Sequence, residues 1–104
     1  MSSSNRGEVW LVDLGMVAKV RPCLVISILA LDQDRALVTL APHTTSPRGS
    51  RFEVDVKAKF LRSGVFDAQN LVTIPETKLM RKLGALSASQ LSAVESAVRL
   101  WLGL

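Results

Sequence analysis

Apolar and polar residues alternate along most of the chain in short runs, a pattern typical of β-strands. Such runs occupy residues 8–14, 20–29, 36–41 and 52–56, with another short one within 65–74 and a last one at 78–83. Prolines, glycines and small polar residues separate them, as expected of tight turns. The pattern therefore predicts a sheet of about five short strands connected in sequence.

Residues 20–27, with the sequence VRPCLVIS, are the strongest strand signal. Residues 24–29 are rich in aliphatic side chains, which predicts a strand buried on both faces. Pro22 has no N–H for the ladder and suits the first residue of a strand or an edge position. The residue before a proline is held extended. Arg21 should therefore lie at the mouth of this strand, where its guanidinium can bind either a phosphate or a carboxylate of the preceding strand.

A helix is predicted at the C-terminus. Residues 87–90 (SASQ) match a capping box, and Gly103 suits the C-terminal stop. Between them, five apolar residues recur at helical spacing: Leu91, Val94, Val98, Trp101 and Leu102. The fold class predicted is α+β, mainly antiparallel β, with the sheet closed into a small barrel and one C-terminal helix. Residues 1–104 suit a single domain.

The connections are predicted from composition. Residues 42–50 contain two prolines, two threonines, two serines and a glycine, which predicts a loop. Residues 57–62 are expected to form a helical turn that ends at Gly64. Residues 32–35 form a polar turn.

Composition narrows the class of protein. With 48% hydrophobic and 21% charged residues, the chain is not expected to be disordered. Its apolar runs are too short to cross a bilayer, and no signal peptide is visible at the N-terminus. The lone Cys23 lies inside a strand and should pack as a small hydrophobic residue. These features predict a cytoplasmic globular protein.

The net charge of +4 favours a polyanionic partner only weakly, and the distribution of charge is more informative. Between Asp34 and Glu53 the ionisable side chains are Arg35, His43, Arg48 and Arg51. Such a basic loop is either a phosphate-binding surface or a solvated loop.

Few kinds of chemistry fit the sequence. The single histidine and single cysteine lie in different elements, so no metal site is expected, and no nucleotide-cofactor motif occurs. Arg21 and the loop at residues 41–48 remain. Their hydroxyls, backbone N–H groups and cations are the groups that hold a phosphodiester without a metal. His43 is either a general base or a packing residue.

Five segments in order resemble the MazF/PemK family of toxins from bacterial toxin–antitoxin modules. They are residues 6–10 (RGEVW), 20–27 (VRPCLVIS), 41–46 (APHTTS), 52–54 (FEV) and 64–74 (GVFDAQNLVTI). The resemblance implies an SH3-like, CcdB/MazF-like barrel with a C-terminal helix, usually a homodimer. It also implies a cytoplasmic endoribonuclease that needs no metal or other cofactor, acts on single-stranded RNA, and is inhibited by a cognate MazE-like antitoxin.

The resemblance also implies the functional residues. Its catalytic pair corresponds to Arg21 and Thr44, with the neighbouring Thr45 as the alternative threonine. The ribose 2′-hydroxyl attacks the adjacent phosphorus and leaves a 2′,3′-cyclic phosphate and a 5′-hydroxyl. The surrounding RNA-binding surface is predicted to comprise Lys19, Ser46, Arg48, Arg51, Gln69 and Asn70.

One segment departs from the family. Many relatives have a longer loop before the Arg-Pro pair, rich in glycine and carrying a glutamate. Here residues 15–20 (GMVAKV) are short and have no acid. A glutamate base is therefore unavailable in this loop, and His43, beside Thr44, is the candidate substitute.

Two other functions are compatible with the same barrel. CcdB-like toxins poison DNA gyrase through a Trp-Gly-aliphatic C-terminus, and this chain ends LWLGL, with an additional residue between Trp101 and Gly103. A barrel that binds RNA without cutting it is the third possibility.

Overall fold

The computed structural model describes residues 4–15 and 19–104. The strands are β1 (Glu8–Asp13), β2 (Val20–Val25), β3 (Leu37–Thr44), β4 (Glu53–Asp55), β5 (Val65–Asp67), β6 (Val72–Pro75) and β7 (Leu79–Ala85). A 3-10 helix (Glu76–Lys78) precedes β7, and helix α1 (Ala88–Leu102) ends the chain. Residues 16–18, in the middle of the predicted β1–β2 connection, lie outside the described residues.

The strands form one antiparallel sheet in the order β4-β5-β3-β2-β1-β7, and β6 also pairs with β3. This confirms the predicted fold class, with seven strands instead of about five. The sheet is not closed into a barrel, because the described ladders end at β4 on one side and at β7 on the other. Side chains fill the space between these edges: Val54 of β4 and Leu83 of β7 pack in one cluster with Val94 of α1.

Strand β2 is shorter than predicted. Cys23, Leu24 and Val25 are buried as expected, but Ile28 is 78% exposed. The backbone ladder ends because the Ser27 hydroxyl accepts the Thr39 N–H at 2.9 Å. The Thr39 N–H thus donates to the Ser27 side chain and not to a backbone carbonyl of β2. Beyond this point the chain leaves the sheet.

Strand β3 is longer than predicted, and it includes Pro42 and His43, which had been expected in a loop. Leu37 to Leu40 pair with β6, whereas His43 and Thr44 pair with β5. Pro42 lies between these two ladders, where its missing N–H costs little. The change of partner lets a proline continue a central strand.

Residues 65–74 form two strands instead of one. The Asp67 side chain accepts the Gln69 N–H at 3.0 Å, and the Asn70 N–H donates to the Asp67 carbonyl. This turn separates β5 from β6. The predicted helical turn at residues 57–62 is an irregular segment in which the Leu61 N–H donates to the Ala58 carbonyl.

Helix α1 begins and ends as predicted. Ser87 and Gln90 form the reciprocal capping box, and Gly103 adopts φ 73° at the C-terminal end. The helix buries Val94 and Ala97. Trp101 remains 43% exposed and Leu102 52%, so the apolar stripe is buried only over its first three turns. No described helix is long and apolar enough to cross a membrane.

Candidate active site between two grooves

Arg21 is held at the mouth of β2, as predicted. Its neighbour across β1 is the fully buried Val12, and Cys23, two residues further along, is also fully buried. The Arg21 carbonyl accepts a hydrogen bond from the Cys23 thiol at 3.6 Å. Burial raises the pKa of that thiol to about 12, so Cys23 is a packing residue, not a nucleophile. The strand start is therefore anchored while the Arg21 side chain is exposed.

Two surface grooves meet at Arg21 and His43, which line both of them. The first groove has a volume of about 680 Å³. It is lined by Arg21, Pro42, His43, Thr44, Ser46, Arg48, Glu53, Asp67, Gln69 and Asn70. It thus brings together seven of the ten predicted site residues, from three separate parts of the chain.

The second groove has a volume of about 540 Å³ and shares Arg21 and His43 with the first. It is lined by Leu11, Lys19, Val20, Arg21, Pro22, His43, Thr45, Phe60, Arg62 and Arg81. Lys19 and Thr45 of the predicted site lie here. Arg62 and Arg81 had not been included in that site.

The two candidate threonines lie in different grooves. Thr44 lines the first groove, where its hydroxyl oxygen accepts the Ser46 N–H at 3.1 Å. This hydrogen bond fixes the oxygen and leaves the hydroxyl proton available to a substrate oxygen. Thr45 lines the second groove and is exposed. Of the two, Thr44 has the better-defined position.

His43 is the buried polar group of the site, with 3% of its surface exposed. Its ring contacts Phe66 edge-to-face, at 5.1 Å between centroids. Among the described residues its Nε2 has no hydrogen-bond partner. Burial lowers the pKa of His43 below its ordinary value, and the charge of Asp55 opposes this shift. The imidazole is therefore neutral at pH 7.

Gly64 allows this packing. A Cβ at Gly64 would lie 2.2 Å from the Thr44 carbonyl oxygen and 2.7 Å from Cε1 of His43. The chain therefore passes directly against the strand that carries both residues. Gly64 had been expected only to end a helical turn.

Glu53 organises the loop at residues 48–50, whose Arg48 also lines the first groove. Its carboxylate accepts the N–H groups of Arg48, Gly49 and Ser50, at distances between 2.7 and 3.1 Å. These hydrogen bonds, that of Arg48 above all, lower the pKa of Glu53. The backbone of the loop is thus fixed at Arg48 by hydrogen bonds to Glu53. The pattern of the sequence gave no reason to single out this acid.

Arg51 lies outside both grooves. Its guanidinium carbon is 4.8 Å from the centre of the Phe52 ring, in a cation–π contact. Phe52 in turn contacts Trp101 edge-to-face at 5.4 Å. Of the ten predicted residues, Arg51 is therefore the one that the structure does not bring to the site.

No metal-binding group of three or more His, Cys, Asp or Glu side chains occurs in the described part of the chain. The residues that line the two grooves offer cations, a hydroxyl donor and a neutral imidazole. Such groups bind phosphate oxygens and stabilise charge that develops on them.

Comparison with known proteins gives a consistent result. Residues 5–102 match the family described as PemK-like, MazF-like toxins of type II toxin–antitoxin systems. Endoribonuclease MazF3 of Mycobacterium tuberculosis is 34% identical over 89 residues, which cover 84% of this chain and 86% of that protein.

Solved structures agree. An endoribonuclease from a mycobacterial species, in complex with its cognate antitoxin, superposes with a TM-score of 0.85 at 27% identity, covering 98% of this chain and 97% of its own. The M. tuberculosis toxin MazF-mt6 gives a TM-score of 0.79 at 33% identity, covering 93% and 97%. The resemblance noted from the five sequence segments is thereby confirmed. This chain belongs to the PemK-like, MazF-like toxin family of type II toxin–antitoxin systems.

Proposed function

We propose that the chain is a toxin that cuts single-stranded RNA in the cytoplasm without a metal or other cofactor, as a single domain over residues 1–104. The observation that carries this proposal is the position of Arg21. It lines both grooves, and Thr44 lines the first groove with it. An RNA strand that follows the two grooves passes over this point, which supports cleavage there.

The proposed reaction transfers the phosphodiester within the strand. The 2′-oxygen bonds to phosphorus, and the bond from phosphorus to the 5′-oxygen of the next nucleotide breaks. Arg21 neutralises the extra negative charge of the phosphorane and supplies a proton to the departing 5′-oxygen. Thr44 donates a hydrogen bond to a non-bridging oxygen. Each preorganised donor of this kind is typically worth about 10²–10³ in kcat.

His43 is the proposed acceptor of the 2′-hydroxyl proton. Its pKa is lowered by burial, so it is neutral at pH 7, as a base must be. With a lowered pKa, activity should be constant above pH 6.5 and decrease at lower pH as the imidazole is protonated. His43→Gln should be slower at neutral pH and lack this acidic decrease in kcat/KM. An unchanged pH profile in a slow His43→Gln enzyme would show that His43 only packs the site.

The remaining predicted residues would bind RNA around the reacting phosphate. Ser46, Arg48, Gln69 and Asn70 line the first groove, and Lys19 lines the second. Thr45, which lines the second groove with Lys19, would support RNA binding there. Arg51 lines neither groove, and we propose no role for it beyond that of a surface cation near Phe52.

A cognate antitoxin and a second copy of the chain are the proposed protein partners. The mycobacterial endoribonuclease with a TM-score of 0.85 was solved with its cognate antitoxin. An acidic antitoxin segment would compete with RNA for the cations near Arg21 and Arg48. Arg48→Glu should therefore weaken both RNA and antitoxin at low salt, and unchanged antitoxin affinity would place that contact elsewhere.

The gyrase-poison alternative rests on the C-terminus, and the structure gives those residues other roles. Trp101 packs edge-to-face on Phe52, and Gly103 is the left-handed residue that ends α1. Packing and helix termination account for both. The ribonuclease proposal has the better support.

The test is to incubate mixed-sequence single-stranded RNA with the protein in EDTA and map the cuts. Wild type should make discrete cuts, Arg21→Ala should lose about 10²-fold or more in rate, and the control Arg35→Ala, on the exposed turn before β3, should cut like wild type. Equal rates for Arg21→Ala and wild type would contradict the proposed site. No cuts by folded wild type would favour the binding-only or gyrase-directed functions.

A further inference from the structure

The two grooves carry different charge. Among the described residues, the first groove is lined by the cations Arg21 and Arg48 and by the acids Glu53 and Asp67, so its formal charges cancel. As far as the structure describes its lining, the second groove has four cations, Lys19, Arg21, Arg62 and Arg81, and no acid. The amide side chains of Gln69 and Asn70 lie only in the first. The two grooves that share Arg21 thus offer a polyanion different groups to bind.

The sheet fixes one wall of the second groove. Leu11 of β1 pairs with Pro22 of β2 on one side and with Arg81 of β7 on the other. Residues directly opposite in a sheet project from the same face. Arg81 is therefore held across an apolar strip from the start of β2, the strand segment that carries Arg21.

Another part of the lining comes from the segment between β4 and β5, which contributes Phe60 and Arg62. Phe60 packs its ring against Gly84 of β7, where a Cβ would lie 2.5 Å from the ring. This contact holds the segment beside β7 and brings Arg62 to the groove that Arg81 also lines. Two cations from distant parts of the sequence therefore line the same groove.

These cations are available to a ligand. Lys19, Arg62 and Arg81 are all exposed. The three ion pairs formed by the described residues are Arg6–Glu95, Lys57–Asp55 and Lys82–Glu8, and none includes them. Lys19, Arg62 and Arg81 carry like charges and line one groove, so they repel one another, and phosphate groups relieve that repulsion.

We propose that the second groove is a phosphate track: Arg62 and Arg81, with Lys19, bind consecutive backbone phosphates of the RNA on one side of the cleaved bond, while the first groove reads bases. This inference rests on the proposed function and gives each of the two grooves its own part in binding RNA. Amides and carboxylates distinguish base edges by hydrogen bonding, whereas a purely cationic groove holds the backbone without reading sequence. Affinity and sequence preference should therefore come from different sides of Arg21.

The test begins with the cut sites mapped for wild type, which establish cleavage independently of this proposal. Binding is then measured with an RNA of that sequence carrying a 2′-O-methyl group at the cut nucleotide, from 50 to 200 mM NaCl. The double variant Arg62→Gln/Arg81→Gln should bind about tenfold more weakly at 50 mM. The slope of log K against log salt should fall by about 1.4, because each single-strand phosphate contact contributes about 0.7. The preferred cut sequence should be unchanged.

Two further variants keep the result interpretable. Arg35→Gln/Lys78→Gln removes the same charge outside both grooves and should retain the wild-type slope to within about 0.3. Asn70→Ala should alter the preferred sequence and leave the slope unchanged. Equal slopes for the two double variants would overturn the phosphate track, as would a changed cut sequence in Arg62→Gln/Arg81→Gln. Circular dichroism melts check that each variant is folded.

Discussion

At the scale of single residues, the adjacent threonines Thr44 and Thr45 line different grooves, and we propose different roles for them on that ground. Thr44→Val should lower kcat about 10²-fold or more, since a positioned donor to the phosphorane is lost. Thr45→Val should change kcat less than threefold. Single-turnover cleavage of one mapped RNA site measures both, and a larger defect in Thr45→Val would exchange the two roles.

Sequence patterning could not separate these threonines. The motif at residues 41–46 places them side by side, and a loop could present either. The structure distinguishes them because β3 continues through Thr44, with Thr44 paired to Val65, and ends there. Strand geometry holds the first threonine, whereas the second already lies in the connection.

Glu8 is a second residue whose role emerges from contacts. Burial raises its pKa, but hydrogen bonds from the Asn5 N–H, the Trp10 indole and Lys82 together outweigh burial and lower it from 4.5 to about 2. Because the folded-state pKa is lowered, the ionised group stabilises the fold fully above pH 4.5, and this contribution is lost as pH falls towards 2.

Glu8→Gln should therefore be less stable than wild type at pH 7, by about 1–3 kcal/mol, and the difference should shrink between pH 4.5 and 3. Urea unfolding at these pH values measures both effects. The control Asp32→Asn, in the exposed turn before β3, should follow wild type. A Glu8→Gln deficit that is the same at pH 7 and pH 3 would contradict the assignment.

At the scale of elements, the site depends on how β3 is packed. The segment that leads into β5 lies so close to His43 and Thr44 that only glycine fits at position 64. Gly64→Ala should displace both residues, lower kcat at least tenfold, and destabilise the fold by about 1–3 kcal/mol, as overpacking does. Ser63→Ala, at the neighbouring exposed position, should change neither kcat nor the stability of the fold.

Thermal melting and cleavage rates on the same samples measure this prediction. Wild-type activity in a folded Gly64→Ala protein would show that the positions of His43 and Thr44 are not critical. The result would then count against both residues in the proposed mechanism.

The elements themselves were predictable to different degrees. Helix α1 was predicted with its cap and its stop, because Ser87, Gln90 and Gly103 are local signals that need no tertiary contact. The end of β3 was not, because Pro42 normally argues for a loop. Only the change of partner from β6 to β5 makes proline acceptable there, and that is a property of the assembled sheet.

At the scale of the whole molecule, the sequence resemblance identified the family and the antiparallel fold, but not the open sheet or the two grooves. Arg62 and Arg81 are 19 residues apart in sequence and line the same groove, where Phe60 packs on Gly84. The net charge could not reveal this difference between the grooves. The value of +4 is a sum over the whole chain and does not show that one groove is neutral and the other cationic.

We propose that this MazF-like toxin cuts RNA by attack of the 2′-hydroxyl beside the scissile phosphate at Arg21. The most direct measurement is cleavage, in EDTA, of an RNA with two identical mapped sites, one of which carries a single 2′-O-methyl group. We expect the blocked site to stay intact and the other to be cut to a 2′,3′-cyclic phosphate and a 5′-hydroxyl. Cutting at the blocked site, or a 5′-phosphate product, would contradict it.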